Sequence, residues 1–252
     1  MTKHIKTIIK NTFSTILSVC TISLCFTSSC NAMQINDTTK TNSDLYKIAV
    51  YDSVFAEENE IHHLVTLTKD NNFVTWDESQ EHVLLLSWHK YPDSYIKGDT
   101  VVFQWGEVWT FTDKEILFWY DTNKNDVTDW SLRLKQLIGL PESSDYTHVT
   151  GFWVSPEDVI RPAYVTDPSI QMRTTFPDDI NDDDWYAKWF NDNILWSYFD
   201  SAYPWTRLGY TYDWADNGKE YGLTEFLIIP NSEALVEFTL TTEEFIDWLD
   251  KN

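Results

Sequence analysis

Strand-like and helical patterns occupy separate stretches of this chain instead of alternating along it. Val, Ile, Leu, Phe and Trp dominate Tyr46–Phe55, Ile61–Thr68, His82–His89 and Thr100–Thr112. Turn chemistry such as Tyr91-Pro92-Asp93 and Lys97-Gly98-Asp99 separates runs of this kind, so the first half reads as strands. The first helical period comes at about Thr128–Ile138: Thr128 or Asp129 can cap it, Trp130, Leu134, Leu137 and Ile138 share a face, and Gly139 with Pro141 stops it. His148–Val154 is a further strand, closed by Ser155-Pro156-Glu157-Asp158, where Pro156 opens a short helical turn. An aromatic helix from about Asp182 to Asp200 precedes a hairpin, Arg207–Trp214 with Tyr221–Ile229, joined through Asp216-Asn217-Gly218. The strand Ala234–Leu240 and a last helix opened by the capping box Thr241-Thr242-Glu243-Glu244 complete the order. This order argues against a regular βαβ repeat. It predicts an α+β fold over residues 45–252, a single domain with a mainly antiparallel sheet and about three helices.

What surrounds that core is strongly acidic. The chain carries 18 Lys and Arg against 40 Asp and Glu, and its first 32 residues hold three lysines and no acid, which leaves a balance of −25 over residues 33–252. Phosphate neutralisation needs clustered basic side chains, so nucleic-acid binding is excluded as a function class, and docking on anionic lipid is disfavoured. With 13 Trp, 13 Tyr and 14 Phe the chain has ample material for a core in spite of its charge. Seven glycines in 252 residues disfavour a glycine-rich phosphate loop.

Residues 1–32 read as a bacterial export signal: a lysine-bearing start, an apolar run over 12–26, then small and polar residues. The apolar run is shorter than the ~20 residues a spanning helix needs. Two cleavages compete, one before Met33 and one before Cys30, which would then be lipidated and leave a signal of residues 1–29. Residues 33–44 are polar and pattern-free, as a tether would be. All three cysteines lie in the leader, so neither a disulfide nor a cysteine metal site is expected beyond it. The predicted location is the periplasm or cell envelope, lipid-anchored or else freely secreted.

Several charged residues stand in unusual company. On a regular strand Thr100–Thr112, Glu107 would share a face with Val101, Phe103, Trp105, Trp109 and Phe111, a setting that suits a general acid; a bulge or turn at Gly106 would instead swing it into water. On the aromatic helix, Asp192 falls within a stripe of Trp185, Trp189, Trp196 and Phe199, unless Asn191-Asp192-Asn193 breaks the helix and Asp192 caps a second piece. Glu107 and Asp192 are therefore the candidate catalytic carboxylates of a glycan-cleaving site.

The segment Tyr203–Trp214 is the most distinctive, and Trp205, Arg207, Tyr210, Tyr212, Asp213 and Trp214 are its candidate ligand-binding residues. Arg207 and Asp213 are too far apart on one strand to pair with each other. Arg207 could grip a ligand carboxylate or phosphate, or pair with another of the acids. Asp121-Thr-Asn123-Lys-Asn125 opens like a calcium loop but lacks the Gly and Glu that such a loop needs. The acidic run Asp178, Asp179, Asp182, Asp183 and Asp184 reads as a solvated helix start. His62, His63, His82, His89 and His148 show no zinc spacing, and no metal site or cofactor is predicted.

Leu132–Pro141, Phe152-Trp-Val-Ser-Pro156 with Arg161-Pro162, Tyr203–Trp214 and Gly222-Leu-Thr-Glu-Phe226 together resemble the pattern of a group of uncharacterised secreted bacterial proteins. The resemblance spans about residues 88–245, implies export and one continuous domain, and transfers no catalytic residue. From charge and aromatic content the expected role is an envelope binding protein, non-enzymatic, for a cationic protein or a glycan. The alternatives are a glycan hydrolase and a structural envelope component.

Overall fold

The computed structural model describes residues 39–178 and 184–252, and Thr39–Asn252 form one compact unit. The export signal, Cys30, most of the tether, and Asp179, Asp182 and Asp183 lie outside the described residues.

Nine strands and five α-helices make up the described chain. In order they are α1 (Asn42–Asp52), β1 (Val83–His89), β2 (Thr100–Val102), β3 (Val108–Thr112), α2 (Asp113–Asn123), α3 (Trp130–Leu137), β4 (His148–Val154), β5 (Val159–Ile160), α4 (Trp185–Leu195), β6 (Tyr210–Tyr212), β7 (Tyr221–Thr224), β8 (Phe226–Ile228), β9 (Glu233–Thr241) and α5 (Thr242–Lys251). Seven strands form one antiparallel sheet in the order β2-β9-β4-β1-β3-β8-β5, and β6 pairs with β7 separately. The fold is thus mixed α and β on an antiparallel sheet, with five helices where the periodicity suggests about three.

β1 lies at the centre, with all seven residues buried, and its alternation divides the interior in two. Val83 and Leu85 face a layer with Phe103, Phe152, Val154, Phe226, Ile228 and Val236. Leu84, Leu86 and Trp88 face the opposite layer, where α2, α3 and α5 contribute Ile116, Tyr120, Leu134, Leu137, Phe245 and Leu249. The period-two pattern of β1 therefore feeds two cores, as a strand covered on both faces must.

Local signals at helix ends act as expected. Asp129 caps α3 by accepting from Leu132 N–H, and Thr241 with Glu244 forms the capping box of α5. Gly222 on β7 has no room for a side chain: a Cβ there would meet the carbonyl oxygen of Leu137 at 2.1 Å, so glycine is what lets β7 run against the end of α3.

Four expected elements change. Tyr46–Phe55 is not a strand: Tyr46–Asp52 lies in α1, which begins at Asn42 within the expected tether, and Ser53–Phe55 turn away after it; the Thr41–Asp44 capping box nucleates the helix, and Ala49 turns inward while Tyr46 packs edge-on against Trp214. Ile61–Thr68 is extended but pairs with no strand. It is held by side chains instead, Val65 N–H donating to Thr224 Oγ1 and Arg161 donating to Val65 O. Thr100–Thr112 is two strands: β2 pairs with β9 at one edge and β3 lies between β1 and β8. The chain crosses between them through a turn at Gly106, φ +141°, with Trp105 fully in solvent. Finally, Asn191–Asn193 does not break the aromatic helix. Asp184 caps α4, the helix runs on to Leu195, and a wider π-helical turn, Trp196–Asp200, follows.

Candidate functional site

β1 and β3 pair only at Leu85↔Thr112 and Leu86↔Phe111, whereas β1 remains paired with β4 as far as His89↔His148. Beyond Leu86 the two strands diverge, and a cavity of about 440 Å³ opens beside them. Ser87–His89 and Glu107–Phe111 form two of its walls; the end of α3, the π-helical turn and residues 203–205 form the others. Its size lies in the range of small-molecule sites, and wide helical turns recur at functional sites.

Rings line the cavity from mouth to floor. Tyr91 (58% exposed), Trp196 (60%) and Tyr203 (36%) stand at the rim, while Trp88 and Trp205 are buried and Trp109 is half-buried. Trp205 is fixed by donation from its Nε1 to Pro162 O at 3.1 Å, and it meets Trp109 edge-on at 6.3 Å between ring centres.

Two carboxyl groups belong to the same walls. Glu107 accepts from Trp189 Nε1 at 3.2 Å. Glu225, where the chain passes from β7 to β8, has its main chain anchored by N–H donation to Gly209 O, but its carboxyl receives no hydrogen bond from the described residues. Its side chain is half-buried and lines the cavity. Burial alone, with no donor to stabilise the anion, pushes it up to about 8, so it is largely protonated at neutral pH.

His89 completes the polar lining without being a free base. Thr239 Oγ1 donates to Tyr95 O, so the Thr150 hydroxyl donates to Thr239, and His89 Nε2 must in turn donate to Thr150 Oγ1 at 2.7 Å. Its Nδ1 accepts from Tyr91 N–H at 3.0 Å. Both nitrogens are committed in the neutral tautomer, and burial holds the ring down at about 4. Among the described residues no Lys or Arg lines the cavity.

The expected catalytic pair is not brought together. Asp192 is exposed on α4 and is not among the residues lining the cavity: the helix buries Tyr186, Ala187 and Phe190, and its cavity-lining residue is Asn193. The carboxyl that shares the cavity with Glu107 is Glu225, which reads in the sequence as one position of a continuous strand.

Of the six candidate ligand-binding residues, Trp205 and Tyr212 reach the cavity, and the others serve the fold. Arg207, buried at φ +60°, donates to Tyr164 Oη, Ser53 O and Val54 O and so closes the end of α1; among the described residues it has no acidic partner. Asp213 takes a two-pronged contact from Arg133, with Nη1 at 3.0 Å from Oδ1. Trp214 Nε1 donates to Leu140 O, and Tyr210 Oη donates to Glu220. Asp121–Asn125 lies on the end of α2 and the turn after it, where Lys124 pairs with Asp121.

A second concavity, about 1060 Å³ and more open, runs past Phe118, Trp119, Arg133 and residues 212–223. Glu115 lies at its base, accepting from Tyr221 Oη, Thr224 N–H and Thr224 Oγ1; burial outweighs these donors and pushes it up to about 7. Nearby, Asp52, Glu60 and Glu220 place carboxylate oxygens within 4.8 Å of one another, a spacing that could hold a cation. Tyr212 Oη donates to Asp52, Tyr210 Oη to Glu220 and Glu57 N–H to Glu60, so the fold already engages all three.

Comparison with protein-family models, curated proteins and solved structures found no match.

Proposed function

We infer that this is an exported binding protein that captures a cationic macromolecule, with the cavity between β1 and β3 as the place where a charged group of the partner is received. The observation that carries this reading is the composition of the cavity wall: two carboxyl groups, rings from rim to floor and, among the described residues, no Lys or Arg. Rings attract a cation through their negative faces, and a carboxyl in a water-poor site adds to that attraction. The −25 balance over residues 33–252 supplies a field that draws a basic partner from a distance.

Titration of the protein with a lysine homopolymer, a glutamate homopolymer and a chito-oligosaccharide tests the reading. The expected result is binding of the first alone, weakening steeply from about 50 to about 500 mM salt. Binding of the oligosaccharide alone, or lysine-polymer binding that ignores salt, would refute it.

One observation favours a second reading, cleavage of an envelope glycan: Glu107 and the protonated Glu225 share one ring-walled cavity, and glycoside hydrolysis needs one acid and one base or nucleophile. Release of reducing ends from peptidoglycan strands, lost in both Glu107→Gln and Glu225→Gln, would support it. Absence of turnover in the wild type removes it.

A further inference from the structure

We propose that the cavity beside β1 and β3 is a receptor for a single alkylammonium group, such as the end of a lysine side chain, and that Glu225 gives up its proton when that cation is seated. This inference rests on the capture reading and specifies its ligand chemistry.

The geometry selects the class of ligand. An anionic group would enter a site that holds the Glu107 carboxylate and, among the described lining residues, no basic side chain, where like charge and a low dielectric oppose it. A purely apolar group would leave the Glu225 carboxyl without a partner, as it is now. A protonated amine answers both conditions. It offers N–H donors to a carboxyl that has none, and its charge meets the rings of Trp109 and Trp205 within and of Trp196 at the rim, whereas the Tyr91 ring is already occupied by Lys90 Nζ at 5.8 Å. The methylene stem of a lysine can lie between the rim rings while its end reaches inward, as long amphipathic side chains do.

The protonation step follows from charge balance. Among the described residues no cation or hydrogen-bond donor faces the Glu225 carboxyl to stabilise its anion. The ionisable groups coupled to it are Tyr186 of α4 and Tyr198 of the π-helical turn, both held neutral by burial. Across the cavity stand Glu107 of β3, the neutral His89 of β1 and Tyr212 of β6, none of them a cation. Entry of R–NH₃⁺ supplies the missing positive charge, the O–H bond of Glu225 breaks, and the proton leaves to water while an ammonium–carboxylate pair forms. One cation enters and one proton departs, so the net charge of the site is unchanged. By linkage, removing protons from solution must favour binding wherever the free acid is protonated and the bound one is not.

The test is calorimetric titration of the whole protein with butylammonium and with Nα-acetyl-lysine methylamide, in two buffers of different ionisation enthalpy, from pH 6 to pH 9. The expected result is release of about one proton per cation at pH 6, falling towards none by pH 9, and an affinity that rises by up to about tenfold per pH unit before levelling off. Glu225→Gln should abolish the proton release and weaken binding at pH 8 by at least about tenfold. Trp196→Ala, an exposed rim position whose loss leaves the core intact, should weaken binding without changing the proton count. Amine binding that releases no proton at pH 6, or that Glu225→Gln leaves unchanged, overturns the proposal. If neither amine binds while the lysine homopolymer does, the cavity is not the receptor and the capture reading stands on the acidic surface alone; if the homopolymer fails as well, both fall.

Discussion

Replacing Glu225 by Gln should change how the stability of the protein depends on pH, with a sign and size set by the cavity. A glutamate in an unfolded chain titrates near 4.5, whereas in the folded protein burial moves Glu225 up to about 8. Below pH 4.5 the carboxyl is protonated in both states and the fold bears no charging penalty. Between the two values the unfolded chain ionises and the folded one does not, so unfolding releases a proton and stability falls as pH rises. Above about 8 both states are ionised and the loss is complete. At about 1.4 kcal/mol per pH unit, the gap between 4.5 and about 8 amounts to about 5 kcal/mol. Gln keeps the shape and carries no charge. Urea unfolding followed by tryptophan fluorescence at pH 5, 6.5, 8 and 9 should therefore show the wild type losing several kcal/mol relative to Glu225→Gln across the series, and taking the difference removes the contribution of Glu115, which titrates in the same direction. Parallel curves, constant to within about 0.5 kcal/mol, would mean that Glu225 is solvated, and the account of the cavity as a dry site would be refuted.

Arg161 is fully buried and spends its guanidinium on the carbonyls of Val65, Asp167, Pro168 and Ile170, so Arg161→Met should cost about 3–5 kcal/mol by leaving those carbonyls without donors, measured as a drop in the urea midpoint. A loss under about 1 kcal/mol would show that water replaces it. Gly222→Ala should cost at least about 3 kcal/mol, because the new methyl meets a main-chain oxygen that cannot swing aside; an unchanged melting temperature would contradict the close approach of β7 to α3. Thr241→Ala, which removes the cap of α5, should cost about 1 kcal/mol in the same unfolding assay, and no change would assign the helix end to packing alone.

Elements whose signals are local were legible in the sequence. β1 and β4 follow from dense apolar runs, α3 from a cap, a face and a stop, and α5 from its capping box, because the interactions that form them lie within a few residues. Two segments differ from their strand-like composition for different reasons. Over Tyr46–Asp52 a local signal outweighs it, the Thr41–Asp44 capping box that starts α1, and the helix then docks on Trp214; the run Ile61–Thr68 takes its partners from the distant Thr224 and Arg161 and needs no neighbouring strand. The acidic balance, the ring content and the antiparallel character of the sheet can be read from the chain alone, since they depend on composition and on periods of two or a few residues. Which charges matter is fixed by three-dimensional packing, which turns Asp192 outward, locks Arg207 and Asp213 into the fold, and puts Glu225 and Glu107 on the walls of one cavity where β1 leaves β3. Charge environment is a property of what surrounds a residue in space, and those neighbours come from distant segments, 80 residues away in the chain for Arg133 and Asp213 and 153 for Arg207 and Val54.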